Sequence, residues 1–309
     1  MSATPVRPRV TLVTPTYNQA RYLAETLDCV LAQDLDGLEY LVIDDGSTDD
    51  TSSVLARYAE RVQSIRQPNA GQARTLNRGW EMARGEYIGY LSSDDLLEPS
   101  ALRRMAEVLD ACPEVVCVFP DADLIDNASN VVKTHVCREF DLEELVIRQE
   151  CHIGPGALFR RSAFERAGGW KPELRLAPDR EFWMRIASLG EFRFVRDTLA
   201  HYRLHPTSIS YKEVSEAQSR EYLAVLDGYF ASDDVPAAIA ARKREAYGRA
   251  TLVIARNAFR SGKWRRGFEL YREACTLHPP LRALGVKATL VRNIVSKPAR
   301  ALLSRVRGR

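Results

Sequence analysis

The stretch Leu38-Glu39-Tyr40-Leu41-Val42-Ile43-Asp44-Asp45-Gly46-Ser47-Thr48-Asp49 decides the fold. Its first seven residues form a short apolar run rich in β-branched and aromatic side chains, which predicts a buried strand. The Asp-Gly pair that follows is turn chemistry, and Ser47 and Thr48 suit a helix start over about residues 48–59. A strand, a polar turn and then a helix make up the repeating unit of an α/β sheet.

The same unit recurs on either side. Arg9 to Pro15 predicts a strand, and Asn18 to Gln33 a helix with Leu23, Leu27, Val30 and Leu31 on one face. Downstream, Val62–Arg66 predicts a third strand, Gln72–Ala83 a helix and Glu86–Leu91 a fourth strand. Pro99 then opens a helix reaching Ala111, and Val115–Phe119 supplies a further strand. Strict alternation over about 110 residues predicts a mostly parallel, Rossmann-like sheet flanked by helices. From Asp121 to Ser210 the pattern turns to α+β, with a helix near Asp179–Leu189. Beyond Tyr211 it is nearly all helical, including a hairpin joined at Ser261-Gly262-Lys263. The expected organisation is therefore a catalytic domain over residues 1–210, divided into halves at 8–120 and 121–210, and a helical C-terminal extension over 211–309.

Composition narrows the function. With 45% hydrophobic and 28% charged residues, the 309-residue chain can build a core without staples. A net charge of +3 gives no reason to expect nucleic acid. The basic excess lies at the end: residues 281–309 hold eight Lys or Arg and no acid, interleaved with Leu284, Leu290, Val291 and Ile294. That pattern suits contact with an anionic membrane surface. The six cysteines show neither CxxC nor finger spacing and lie in apolar surroundings, as expected of free thiols in a reducing compartment. No basic-then-apolar leader precedes Val10, and no run approaches the roughly 20 apolar residues that span a bilayer. A cytoplasmic location follows as the expectation, at the inner face of a membrane if the tail binds there.

Open α/β sheets bind ligands at the carboxyl ends of their strands. Four polar constellations fall at predicted strand ends or helix starts. Thr14-Pro15-Thr16-Tyr17-Asn18 offers an aromatic ring and hydroxyls suited to a nucleobase, although a turn with Asn18 capping the next helix explains it equally well. Asp44 and Asp45 end a buried strand, where a carboxylate can accept from a base N–H or a ribose hydroxyl. Ser92-Ser93-Asp94-Asp95 follows the fourth strand; clustered carboxylates repel, and a divalent cation offsets that cost. Mg²⁺ or Mn²⁺ commonly uses one or two carboxylates together with phosphates and water. Asp179, in Pro178-Asp179-Arg180-Glu181-Phe182-Trp183-Met184-Arg185, sits at a helix start and could act as a general base.

In this order and spacing, with Asn69-Ala70-Gly71-Gln72-Ala73-Arg74, Gly168-Gly169-Trp170 and Tyr202-Arg203-Leu204-His205-Pro206, the chain resembles glycosyltransferase family 2 enzymes of GT-A fold over roughly residues 8–210. The resemblance implies an inverting transferase that moves a sugar from a UDP- or dTDP-linked donor to a glycan or lipid-linked acceptor, as in cell-surface polysaccharide synthesis. It implies nucleotide contacts from Thr14, Pro15, Tyr17, Asp45 (or Asp44), Arg74 and Ser93. It places Asp94, with Asp95 and His205, on the metal side, and Asp179 as catalytic base. Many members read Asp-x-Asp-Asp where this chain has Ser92-Ser93-Asp94-Asp95, so no carboxylate contact is expected from position 92. A sugar nucleotidyltransferase would need a Gly-rich basic loop after the first strand, and a dehydrogenase a GxGxxG turn. A catalytically silent binding module would be expected to lack Asp94 or Asp179. The sequence meets none of these conditions.

Overall fold

The computed structural model describes residues 7–205 and 214–294. Two compact units emerge. One comprises Met1–Phe140, His152–Leu174 and Arg185–Leu204; the other comprises Asp141–Cys151, Arg175–Met184 and His205–Arg309.

The first unit holds the sheet. Its opening strands are β1 (Val10–Thr16), β2 (Leu38–Asp44), β3 (Gln63–Arg66) and β4 (Tyr87–Tyr90). They lie parallel in the order β3-β2-β1-β4. Between them run α1 (Ala20–Leu31), α2 (Thr51–Ala56) and α3 (Gln72–Met82). Every residue of β1 is buried, its three threonines as well as its four apolar residues. On α1, the residues Tyr22, Leu23, Thr26, Leu27 and Val30 recur with helical spacing and face the core. Packing of α3 on β1 is so close at Gly79 that a Cβ there would lie 2.4 Å from Val13 Cγ1. Only glycine fits.

Past β4 the sheet becomes mixed. The two-residue β5 (Leu96–Leu97) and α4 (Ala101–Ala111) lead into β6 (Val115–Ile125), which reaches six residues beyond the apolar run that announced it. β7 (Val131–Lys133) pairs antiparallel with β6. β8 (Leu158–Arg160) is antiparallel to both β4 and β6, and α5 (Arg161–Ala167) follows it. The long β9 (Glu191–Arg203) runs parallel to β6 and antiparallel to β5.

The second unit is helical. It takes in a π-helical turn at Glu144–Arg148 and the start of α6 (Pro178–Ile186). α7 (Glu216–Ser219), α8 (Glu221–Phe230), α9 (Ala237–Ala240), α10 (Lys243–Arg260) and α11 (Trp264–Leu277) follow. Gly262, at φ +71°, turns the α10–α11 hairpin where the sequence marked it. Leu290 and Ile294 pack against the small core of Ile254, Ala255, Ala258, Phe259 and Leu270. Residues 295–309 of the basic tail lie outside the described residues. All six cysteines are free. No helix among the described residues is long and apolar enough to cross a membrane.

Candidate active site

Parallel pairing puts the carboxyl ends of β1–β4 on one edge: Thr16 sits in register with Asp44, and Asp44 with Arg66. The turns leaving these strands are tied to one another. Asn18 adopts a left-handed φ of 53°, and its Oδ1 accepts from the Thr48 N–H (2.7 Å) and the Asp49 N–H (3.3 Å). In return the Asn18 N–H donates to Ser47 Oγ at 2.9 Å. Asn18 thus caps the turn after β2 rather than its own helix, which delays the start of α2 to Thr51. Tyr17, 48% exposed, projects from the edge.

The two adjacent aspartates have different duties. Asp45 is buried, and both its oxygens are engaged: Oδ1 accepts from Gln67 Nε2 and the Ala70 N–H, and Oδ2 from the Gly71 N–H, each at 2.8 Å. It holds the loop that delivers α3. Asp44 is 1% exposed; its Oδ1 accepts from the Ser47 N–H at 2.9 Å. Its Oδ2 has no hydrogen-bond partner, only Arg66 Nε at 3.7 Å. The Thr16 hydroxyl beside it is also buried without a partner. Buried polar atoms are seldom left so, and two at a ligand-binding edge mark a place for polar contact. Asp44 Oδ2 and Thr16 Oγ1 therefore have capacity for a ligand, alongside the expected Asp45, whose Oδ2 accepts a single bond. Thr14 is fully buried within β1 and accepts from the Tyr40 hydroxyl at 3.1 Å, and Pro15 is buried beside it. Arg74 is exposed in the first turn of α3 and makes no ion pair among the described residues.

After β4, Ser93 and Asp95 are buried and Asp94 half-buried. Burial, and then the neighbouring Asp94 charge, push the Asp95 carboxyl well above the usual carboxylate range. Asp95 Oδ1 accepts from the Arg203 N–H at 2.9 Å, and the Asp95 carbonyl from Thr26 Oγ1 at 2.9 Å. The fully buried Arg203 guanidinium completes the clamp. Its Nε donates to the Asp94 carbonyl (2.8 Å), and its Nη1 to the Asp126 carbonyl (3.0 Å) and Ser129 Oγ (2.9 Å). Nη2 pairs with Glu25, and the Tyr22 ring covers the group at 5.0 Å. The half-buried Asp94 carboxylate suits a divalent cation, whose charge would offset the repulsion between Asp94 and Asp95.

Arg203 and Thr16 are what the sequence reading missed. Both lie within stretches already singled out, and an arginine ending an apolar strand was the available signal. Arg203→Met should destabilise the fold by on the order of 3 kcal/mol, because two part-buried carbonyls and the Asp94–Asp95 loop lose a fully buried donor. A urea denaturation midpoint unchanged from wild type would contradict this.

In the second unit, Asp179 occupies the first turn of α6. Burial raises its carboxyl above the usual range, against the lowering effects of the Arg180 charge and the Arg180 N–H. His205 is buried in the same unit. The structure thus gathers Tyr17, Asp44, Asp45, Ser93, Asp94 and Asp95 on the strand-end loops of the first unit. Asp179 and His205 belong to the second.

Residues 11–168 match the family model described as glycosyl transferase family 2. An uncharacterized glycosyltransferase of Nostoc sp. is 28% identical over 226 residues, 69% of this chain and 70% of that protein. Chondroitin synthase of Escherichia coli is 29% identical over 222 residues; the match covers 71% of this chain and only 32% of that longer protein. Among solved structures, Staphylococcus aureus TarS 1-349 in complex with UDP-GlcNAc superposes with a TM-score of 0.69 at 18% identity, over 93% of this chain and 81% of that one. The Pyrobaculum calidifontis mannosyltransferase in complex with GDP-Man and Mn²⁺ gives 0.60 at 22% identity, over 98% and 83%. With the family model spanning half its length and this sheet beneath it, the chain belongs to glycosyltransferase family 2, a glycosyltransferase of GT-A fold.

Proposed function

We propose that the protein transfers a sugar, with inversion, from a UDP- or dTDP-linked donor to a glycan or lipid-linked acceptor in polysaccharide synthesis. The observation that carries this reading is the buried, hydrogen-bond-free Asp44 Oδ2 and Thr16 Oγ1 on the same sheet edge as the clamped Asp94 loop. In this reading Tyr17 stacks on the base, and Asp44 and Thr16 accept from base or ribose. Asp45 and Asn18 keep the loops in place, and Arg74 meets the nucleotide. Asp94 holds Mg²⁺ or Mn²⁺, which when bound neutralises the charge of the departing diphosphate. Asp95 fixes the loop to β9. His205 is assigned with Asp94 to the metal. Asp179 takes the proton of the acceptor hydroxyl as the oxygen attacks the anomeric carbon, so an α-linked donor yields a β-linked product. The synthases of chondroitin in Escherichia coli and of hyaluronan in Pasteurella multocida, to which the chain is similar, support a glycan as acceptor.

A thermal-shift screen of nucleotide sugars with Mn²⁺ tests the proposal. A UDP- or dTDP-sugar should raise Tm in a metal-dependent way, by mass action on the folded state. Stabilisation by free nucleoside triphosphate and sugar phosphate, with none by any nucleotide sugar, would favour a nucleotidyltransferase instead.

A further inference from the structure

The second unit holds two arginines that each leave a buried nitrogen without a hydrogen bond. Arg180 follows Asp179 in the first turn of α6, and its guanidinium lies 5.4 Å over the ring of Tyr222 on α8. Its Nη1 is buried and makes no hydrogen bond. Arg256, on α10, has a buried Nε in the same condition. The two cations act on each other: burial first, and then the Arg180 charge, pull the Arg256 pKa down, while Tyr222 pulls it up. One turn further along α10, Arg260 is lowered to about 10 by burial and by Arg256, but it is satisfied by the Asn293 carbonyl at 3.0 Å.

Asp179 is the acid that the Arg180 charge acts on, and two further acids nearby are spent elsewhere. Glu221 accepts from the Arg175 and Leu176 N–H groups at 2.8 and 2.7 Å, and Glu216 pairs with Arg220 and Arg266. Neither Arg180 nor Arg256 makes an ion pair within 4.0 Å among the described residues. Two half-buried like charges with idle donors cost stability, and in a native fold such donors call for a partner. Guanidinium forks match phosphate and carboxylate oxygens, which a neutral sugar hydroxyl does not reward equally.

We infer that Arg180 and Arg256, with the Tyr222 ring packed on Arg180, form an anion subsite next to the Asp179 carboxylate, which takes a phosphate or carboxylate group of the acceptor. The acceptor assignment rests on the reading of Asp179 as the base. The subsite selects a charged acceptor over a neutral one and sets it with a hydroxyl toward Asp179.

The test uses the full chain with saturating UDP and Mg²⁺, so that the donor edge is filled. Inorganic phosphate, glucuronate and, as neutral control, glucose are titrated by calorimetry. Phosphate or glucuronate should bind and glucose should not. Affinity should fall tenfold or more in Arg256→Gln and in Arg180→Gln, with the UDP affinity of each variant unchanged. Binding of phosphate alone identifies a phosphorylated acceptor, and binding of glucuronate alone a uronic acid; both uphold the subsite. Asp179→Asn, which removes a neighbouring negative charge, should bind the anion as tightly as wild type or more so. Equal anion affinity in wild type and both arginine variants, or no anion binding at all, overturns the subsite. If anions bind as expected while Asp179→Asn still turns over at the wild-type rate, the base reading and the acceptor assignment fall together and the anion site stands alone. Arg180, at a helix end, keeps the test usable should Arg256→Gln not fold.

Discussion

Asp179→Asn should reduce sugar transfer by about 10²–10⁴-fold, the range that a positioned general base contributes, and leave the Kd for the nucleotide sugar within about twofold. Asparagine keeps the shape and the first-turn position but cannot take a proton at neutral pH. The raised pKa of Asp179 adds two further outcomes. A base must be ionised to work, so the acid limb of kcat/KM should fall at a pH above the ordinary aspartate value of about 3.9. On stability the sign runs the other way. Folding raises the pKa, so the ionised carboxylate destabilises the native state; this penalty is absent below the unfolded pKa and complete above the folded one. At pH 7 the Asn variant should melt at or above the wild-type temperature. Wild-type turnover in the variant would remove Asp179 from the reaction; a lower melting temperature would make it a structural residue.

Asp94→Ala should cost on the order of 10³-fold in turnover, corresponding to the several kcal/mol that a cation supplies at a departing diphosphate. The affinity for UDP in the presence of Mn²⁺ should drop to the metal-free value, because the variant lacks the carboxylate that links protein to cation. The backbone of the loop should persist, since Arg203 holds Asp94 by its carbonyl, which alanine retains. Calorimetry of Mn²⁺ with UDP separates the cases: metal-enhanced nucleotide binding in Asp94→Ala equal to wild type would place the cation elsewhere.

How far the sequence could be read depended on what each residue touches. β2 runs from Leu38 to Asp44, as its apolar run predicted, because a buried strand is specified by its own side chains. The helix expected at residues 48–59 shrinks to Thr51–Ala56, since Thr48 and Asp49 are held by Asn18, about thirty residues earlier. The apolar run that marked β6 ended at Phe119; the strand continues to Ile125 because β9 pairs with it across Asp121 and Asp123. The family pattern located Asp44 and Asp45 together but could not apportion them. Their difference lies in the Ala70 and Gly71 N–H groups, which only the folded loop brings near. The alternation of strands and helices made the sheet legible as far as the start of β6, but not the antiparallel β8 between β4 and β6, which comes from residues 158–160, beyond the alternating stretch.

The clamp on Asp94 and Asp95 also sets a timetable. Its central residue, Arg203, lies 108 positions after Asp95 and closes β9, the last strand of the sheet. A ribosome that has delivered β1 to β8 has already made Asp44, Asp45, Asp94 and Asp95, and the Thr26 hydroxyl that holds the Asp95 carbonyl, but it still lacks the Arg203 clamp. Contacts so distant in sequence form late, after nearer pairings have repaid their closure entropy. The Asp94 loop is thus fully clamped only with the completion of β9.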